Sequence, residues 1–205
     1  MDPSPSPDPT VSPVEAEALL DIAAATLDDA LAGRPPALPA LGSLPDVLHR
    51  PTGAFVTLTV AGRLNGCIGT IEGREPLGHA VARLALSAAF EDPRLPALRP
   101  EDRAHLTIEL SLLSPLTPVT VRSRTELLEV VRPGHDGLVV EAGRRRGLFL
   151  PSVWEQVSHP EDFLDHLWHK AGLRPRAWPE DLRLFRFVTQ RHERHVGADP
   201  ATTAA

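Results

Sequence analysis

Hydrophobic and polar positions change period several times along this chain, and each change marks an element. Leu19, Leu20, Ala23, Leu27, Ala30 and Leu31 recur at helical spacing behind Ser12-Pro13-Val14-Glu15. That tetrapeptide reads as a capping box with proline at the first helical position, and Gly33 closes the helix. Proline-rich residues 34–53 predict loop, with a short turn at Asp46–His49. Ala54 to Val60 alternates strictly: Ala54, Val56, Leu58 and Val60 face one way, Phe55, Thr57 and Thr59 the other. This is a half-buried strand. Ala61-Gly62-Arg63 predicts a hairpin turn returning through Leu64 to Gly69. Pro76 to Phe90 carries a helical apolar stripe, and Asp92-Pro93-Arg94 ends it, because a residue before proline avoids helical geometry.

The second half is mixed in the same way. Leu106 to Leu113 alternates, with Thr107, Glu109 and Ser111 on one face. Thr125 to Val131 predicts a short helix. Leu138–Glu141 and Gly147–Leu150 predict a hairpin around Gly143-Arg144-Arg145. Pro160 to Ala171 predicts a helix stopped by Gly172, and Leu184 to Val188 a last strand. There is no regular strand–helix–strand rhythm. The pattern therefore predicts an α+β fold with a mainly antiparallel sheet flanked by helices. Residues 1–11 alternate proline with Ser, Asp and Thr and are expected to be disordered. The domain is expected over 12–190, with a flexible polar tail over 191–205.

Composition narrows the class. A chain of 205 residues with 42% hydrophobic content can bury one ordinary core. One cysteine excludes an internal disulfide framework and any all-cysteine metal site. No apolar run is long enough to span a bilayer and no signal-peptide pattern opens the chain, so a cytoplasmic location is expected. The net charge of −6 and the scarcity of aromatics argue against a nucleic-acid binder. Lys170 is the sole lysine, so the arginine excess reads as codon bias rather than as phosphate recognition.

The candidate chemistry centres on Gly66-Cys67-Ile68-Gly69, which holds the only cysteine between two glycines. Glycine lets a backbone or a ligand come close. The thiol is either a nucleophile or soft metal ligand, or a small buried hydrophobe. Arg94 is either a bidentate anion clamp or the partner of Asp92 in an internal ion pair. Glu109, mid-strand, is either a general base or a carboxylate paired with an arginine across the sheet. His79 stands near the start of the helix after the Cys67 strand, where a Cys–His pair would form only if that helix packs back over the thiol. His166 and His169 fit no zinc spacing with Cys67. No metal site is expected, and no cofactor is legible.

Six blocks in order resemble the AMMECR domain family, whose bacterial branch is called AmmeMemoRadiSam system protein A. They are Leu64-Asn65-Gly66-Cys67-Ile68-Gly69-Thr70, Ala88-Ala89-Phe90-Glu91-Asp92-Pro93-Arg94, Glu109-Leu110-Ser111-Leu112-Leu113-Ser114-Pro115, Asp136-Gly137-Leu138, Gly147-Leu148-Phe149-Leu150-Pro151 and Lys170-Ala171-Gly172-Leu173. The resemblance implies a larger and a smaller lobe. It also implies partners, a Memo-like protein and a radical S-adenosylmethionine protein, but no settled reaction. The family commonly has arginine at the position of Asn65 and a second cysteine at that of Trp168. Two readings follow. In one, Cys67 and Glu109 are catalytic groups, with Asn65, Gly66, Gly69 and Arg94 contacting substrate in a cleft. In the other, the chain is a non-catalytic binding or scaffold module.

Overall fold

The computed structural model describes residues 11–197. The expectations for residues 1–10 and 198–205 lie outside the described residues. The described chain divides into two compact units, residues 11–113 with 190–197 and Ser114–Thr189. Each is built on a four-stranded antiparallel sheet, so the α+β expectation holds.

In the larger unit, α1 (Pro13–Leu31) starts at the expected capping box: Glu15 N–H donates to Ser12 Oγ, and Ser12 N–H to the Glu15 carboxylate. The strands β1 (Ala54–Val60), β2 (Arg63–Thr70) and β3 (Leu106–Leu113) and the helix α2 (Leu77–Phe90) follow close to the predicted bounds. The sheet runs β2-β1-β3-β8, with β8 at Thr189–His195. Helices α1 and α2 pack on each other and on one face of the sheet. Leu19, Leu20, Leu27, Val56, Leu58, Val81, Leu84, Ile108 and Leu110 fill that layer. The opposite face carries Phe55, Thr57, Thr59, Thr107, Glu109 and Ser111, as the alternation requires.

Two expectations need correcting. Residues 191–195 are not part of a loose tail but the body of β8. The strand escapes a hydrophobic reading because polar contacts fix it on both faces. Arg194 reaches Glu17 and Asp21 on α1 at 3.2 and 2.8 Å, while Arg191 meets Glu109 at 3.2 Å. Val11, expected to be disordered, is buried and exchanges two hydrogen bonds with Gln190.

The smaller unit runs β4-β7-β5-β6, formed by Thr117–Pro118, Arg183–Phe187, Gly137–Ala142 and Arg145–Phe149. The helix α3 spans Arg124–Val130 and α4 spans Pro160–Lys170, the latter packed on β6. Trp154 stacks on Phe163 and donates its indole N–H to the Asp136 carbonyl at 2.8 Å. Gly147 leaves room for Ala171, and Lys170 sits over the Phe149 ring at 5.1 Å. The Gly-Leu-Phe-Leu-Pro and Lys-Ala-Gly blocks thus meet as one packing unit.

Candidate functional site

One extra residue decides which way Cys67 points. From the turn, Val60 pairs with Arg63 and Thr59 with Leu64. The register then slips, so that Leu58 faces Gly66 and Thr57 faces Cys67, leaving Asn65 unpaired in a β-bulge. Continued from the turn without that slip, the register would set Cys67 opposite Val56, on the face packed under the helices. A one-residue shift moves every later side chain to the other face. The bulge therefore turns Cys67 out to the polar face, where it is half-buried.

There the Thr57 hydroxyl donates to Cys67 Sγ at 3.2 Å. Thr57 also pairs with Glu109 on its other side, so Cys67, Thr57 and Glu109 form one rung across three strands. Two strand spacings separate Cys67 from Glu109, roughly 10 Å between Cα atoms. The Glu109 carboxylate accepts from Ser111 Oγ at 3.3 Å and pairs with Arg191. The cross-sheet arginine reading of Glu109 is therefore the arrangement found. Gly69 lies on the same face under the Phe55 ring, which occupies the space a Cβ would need.

Arg94 approaches from the outer edge of β2. Cys67 N–H donates to Asp92 Oδ2 at 3.0 Å, and Arg94 Nη2 donates to the Cys67 carbonyl at 3.1 Å. Arg94 also grips Asp92 bidentately, through Nε at 2.8 Å and Nη2 at 2.6 Å. The Asp92 side chain is 2% exposed and that of Arg94 63%. The Arg94 bonds hold the Asp92 carboxyl far below its ordinary pKa; burial works against them, and the Cys67 and Arg94 backbone N–H groups add to them. The Asp92 hydrogen bonds in turn raise the pKa of Arg94, against a smaller opposing effect of burial.

Gly66 and Asn65, grouped above with substrate contacts, lie against α2 and the chain that follows it. The open side of Gly66 faces α2, where a Cβ would lie 1.8 Å from the Ala88 carbonyl oxygen. Asn65 is buried and donates Nδ2–H to the Pro96 carbonyl at 3.3 Å, tying the bulge to the chain after α2. His79 does not meet Cys67: its Nε2 lies 3.0 Å from the Pro39 carbonyl, and α2 packs on the other face of the sheet. Among the described residues no three His, Cys, Asp or Glu side chains group as metal ligands, and no helix is long and apolar enough to cross a membrane.

Sequence reading missed Thr57 and Arg191. Thr57 was visible only as a strand residue, because its pairing with Cys67 depends on the bulge. Arg191 was hidden in a strand with no apolar alternation.

Comparison with known proteins agrees with this fold. The chain is 42% identical over 149 residues to a protein of Methanothermobacter thermautotrophicus, covering 72% of this chain and 78% of that one. It is 39% identical to Protein MJ0810 of Methanocaldococcus jannaschii over 152 residues, 72% of this chain and 76% of that protein. The crystal structure of uncharacterized protein PH0010 from Pyrococcus horikoshii superposes with a TM-score of 0.81 at 30% identity, over 92% of this chain and 96% of that one. The family profile AMMECR1 matches residues 20–192. The chain belongs to the AMMECR1 family.

Proposed function

We propose that this chain is a non-catalytic binding module whose working surface is the polar face around Cys67, Thr57 and Glu109. We also propose that it acts beside a Memo-like protein and a radical S-adenosylmethionine protein, the partners that the family resemblance implies. One observation carries the binding reading. The side-chain partner of the thiol is the Thr57 hydroxyl, not a base, and the neighbouring ionic groups are engaged elsewhere: Asp92 with Arg94, Glu109 with Ser111 and Arg191. Activation of a nucleophile by a neighbouring base needs that base within hydrogen-bond reach. The partner proposal rests on the family resemblance alone.

The competing reading is an enzyme subunit with Cys67 as nucleophile. Its support is the bulge, which turns the thiol out, and the Arg94 guanidinium, which reaches the Cys67 carbonyl at 3.1 Å.

With one cysteine, alkylation of the native protein separates the two. Labelling no faster than a short cysteine peptide at the same pH is the expected result. A rate roughly a hundredfold faster would mark an activated thiolate and move the assignment to the enzyme. Co-purification of the tagged chain from its own cell, probed for the two named partner classes, tests the second part; recovery of neither overturns it.

A further inference from the structure

The strand β2 is an edge of its sheet, and an edge presents unpaired N–H and C=O groups to any other extended chain. At Cys67 these outward groups are both taken, the N–H by Asp92 and the carbonyl by Arg94. The two side chains thus do what a neighbouring strand would do, one accepting and one donating. Their own bidentate pair and the Arg94 N–H to Asp92 Oδ1 bond at 3.1 Å fix the turn that carries them. Asn65 fastens the same segment one turn further on, through Pro96.

The geometry points to an intramolecular cap: the Asp92-Pro93-Arg94 turn keeps β2 from pairing with the β2 of a second copy. A second copy is the competitor because an antiparallel pair about a twofold axis at Cys67 is self-complementary. Each Cys67 N–H would meet the other Cys67 carbonyl, replacing one-for-one what Asp92 and Arg94 supply. Leu64, on the same strand and 49% exposed, would gain cover. This inference stands apart from what the polar face binds.

The lone thiol makes the test direct. In such a pair the two Cys67 Cα atoms would lie about 5.5 Å apart, within disulfide range. The double variant Asp92→Ala, Arg94→Ala removes both charges together, so no buried carboxylate is left uncompensated. Mass by light scattering across a concentration series, and cross-linking under mild oxidation, are compared with the unsubstituted chain. The double variant is expected to dimerise with concentration and to form the Cys67–Cys67 bridge at least tenfold faster. A folded double variant that stays monomeric and unbridged overturns the cap, as does an unsubstituted chain that bridges equally fast. Should the double variant not fold, Arg94→Ala alone opens only the Cys67 carbonyl. Faster bridging there supports the cap, and an unchanged rate overturns it.

Discussion

Gly66→Ala is expected to cost about 3 kcal/mol or more, the upper end for overpacking a filled interior. The added methyl would sit 1.8 Å from the Ala88 carbonyl oxygen and 2.7 Å from its carbon. Both are backbone atoms of α2, so no rotamer change relieves the clash. Either β2 or the helix must move, and α2 is held along its length by Leu77, Val81, Leu84 and Ala85 in the core. A loss of this size is a large part of the roughly 5–15 kcal/mol that holds a typical domain together. Gly42→Ala is the control: nothing lies within 4 Å of its Cβ position and its φ is not left-handed, so the change is expected to be neutral or slightly stabilising. Urea unfolding of the two variants beside the parent chain checks both. Equal midpoints for Gly66→Ala and Gly42→Ala would show that the close approach of β2 to α2 does not matter.

That prediction changes what the glycine-flanked cysteine means. In the sequence, two glycines beside a thiol look like room for a ligand. In the structure, Gly66 is room for a helix backbone and Gly69 is room for the Phe55 ring. Much of the block is a packing requirement, and the proposed binding surface centres on Cys67 and its rung. The Asp-Gly block behaves alike: Gly137 faces the Phe187 ring, and buried Asp136 is gripped by Arg132 at 2.7 Å.

The elements that bury an apolar stripe or face were legible because burial imposes a period on the sequence. Helices α1, α2 and α4 and strands β1, β3 and β5 all belong to this group. β8 was not legible, because ion pairs rather than apolar side chains fix Arg191 and Arg194. β4, two residues long, is too short to carry a period at all. At the site, Cys67, Asp92, Arg94 and Glu109 stood out by residue type. Their relation did not, because it turns on the single unpaired residue Asn65. A two-residue pattern cannot announce a one-residue slip, yet that slip decides whether Cys67 faces the helices or the polar face.

Asp92→Asn is expected to cost about 2 kcal/mol at neutral pH, the scale of a charge-assisted hydrogen bond lost at a buried site, and the loss is expected to vanish in acid. Proton linkage sets this pH dependence. In the folded chain Asp92 stays ionised far below its ordinary pKa, because Arg94 and two backbone N–H groups bind the carboxylate. In the unfolded chain it takes up a proton near pH 4. Below that pH the unfolded state therefore holds one more proton than the folded state, so stability falls as pH falls. The contribution is complete above about pH 5 and is lost progressively below about pH 4. An asparagine side chain takes up no such proton, so the variant is expected to lack this part of the acid slope. Glu15 and Asp102 also have lowered pKa values, but they are common to both proteins and cancel in the difference. Urea midpoints measured from about pH 3 to about pH 8 are expected to give two curves that converge towards acid. Parallel curves would mean that the Asp92–Arg94 pair contributes nothing specific to the folded state. The edge cap on β2 would then have to be held by Asn65 and Pro96 instead.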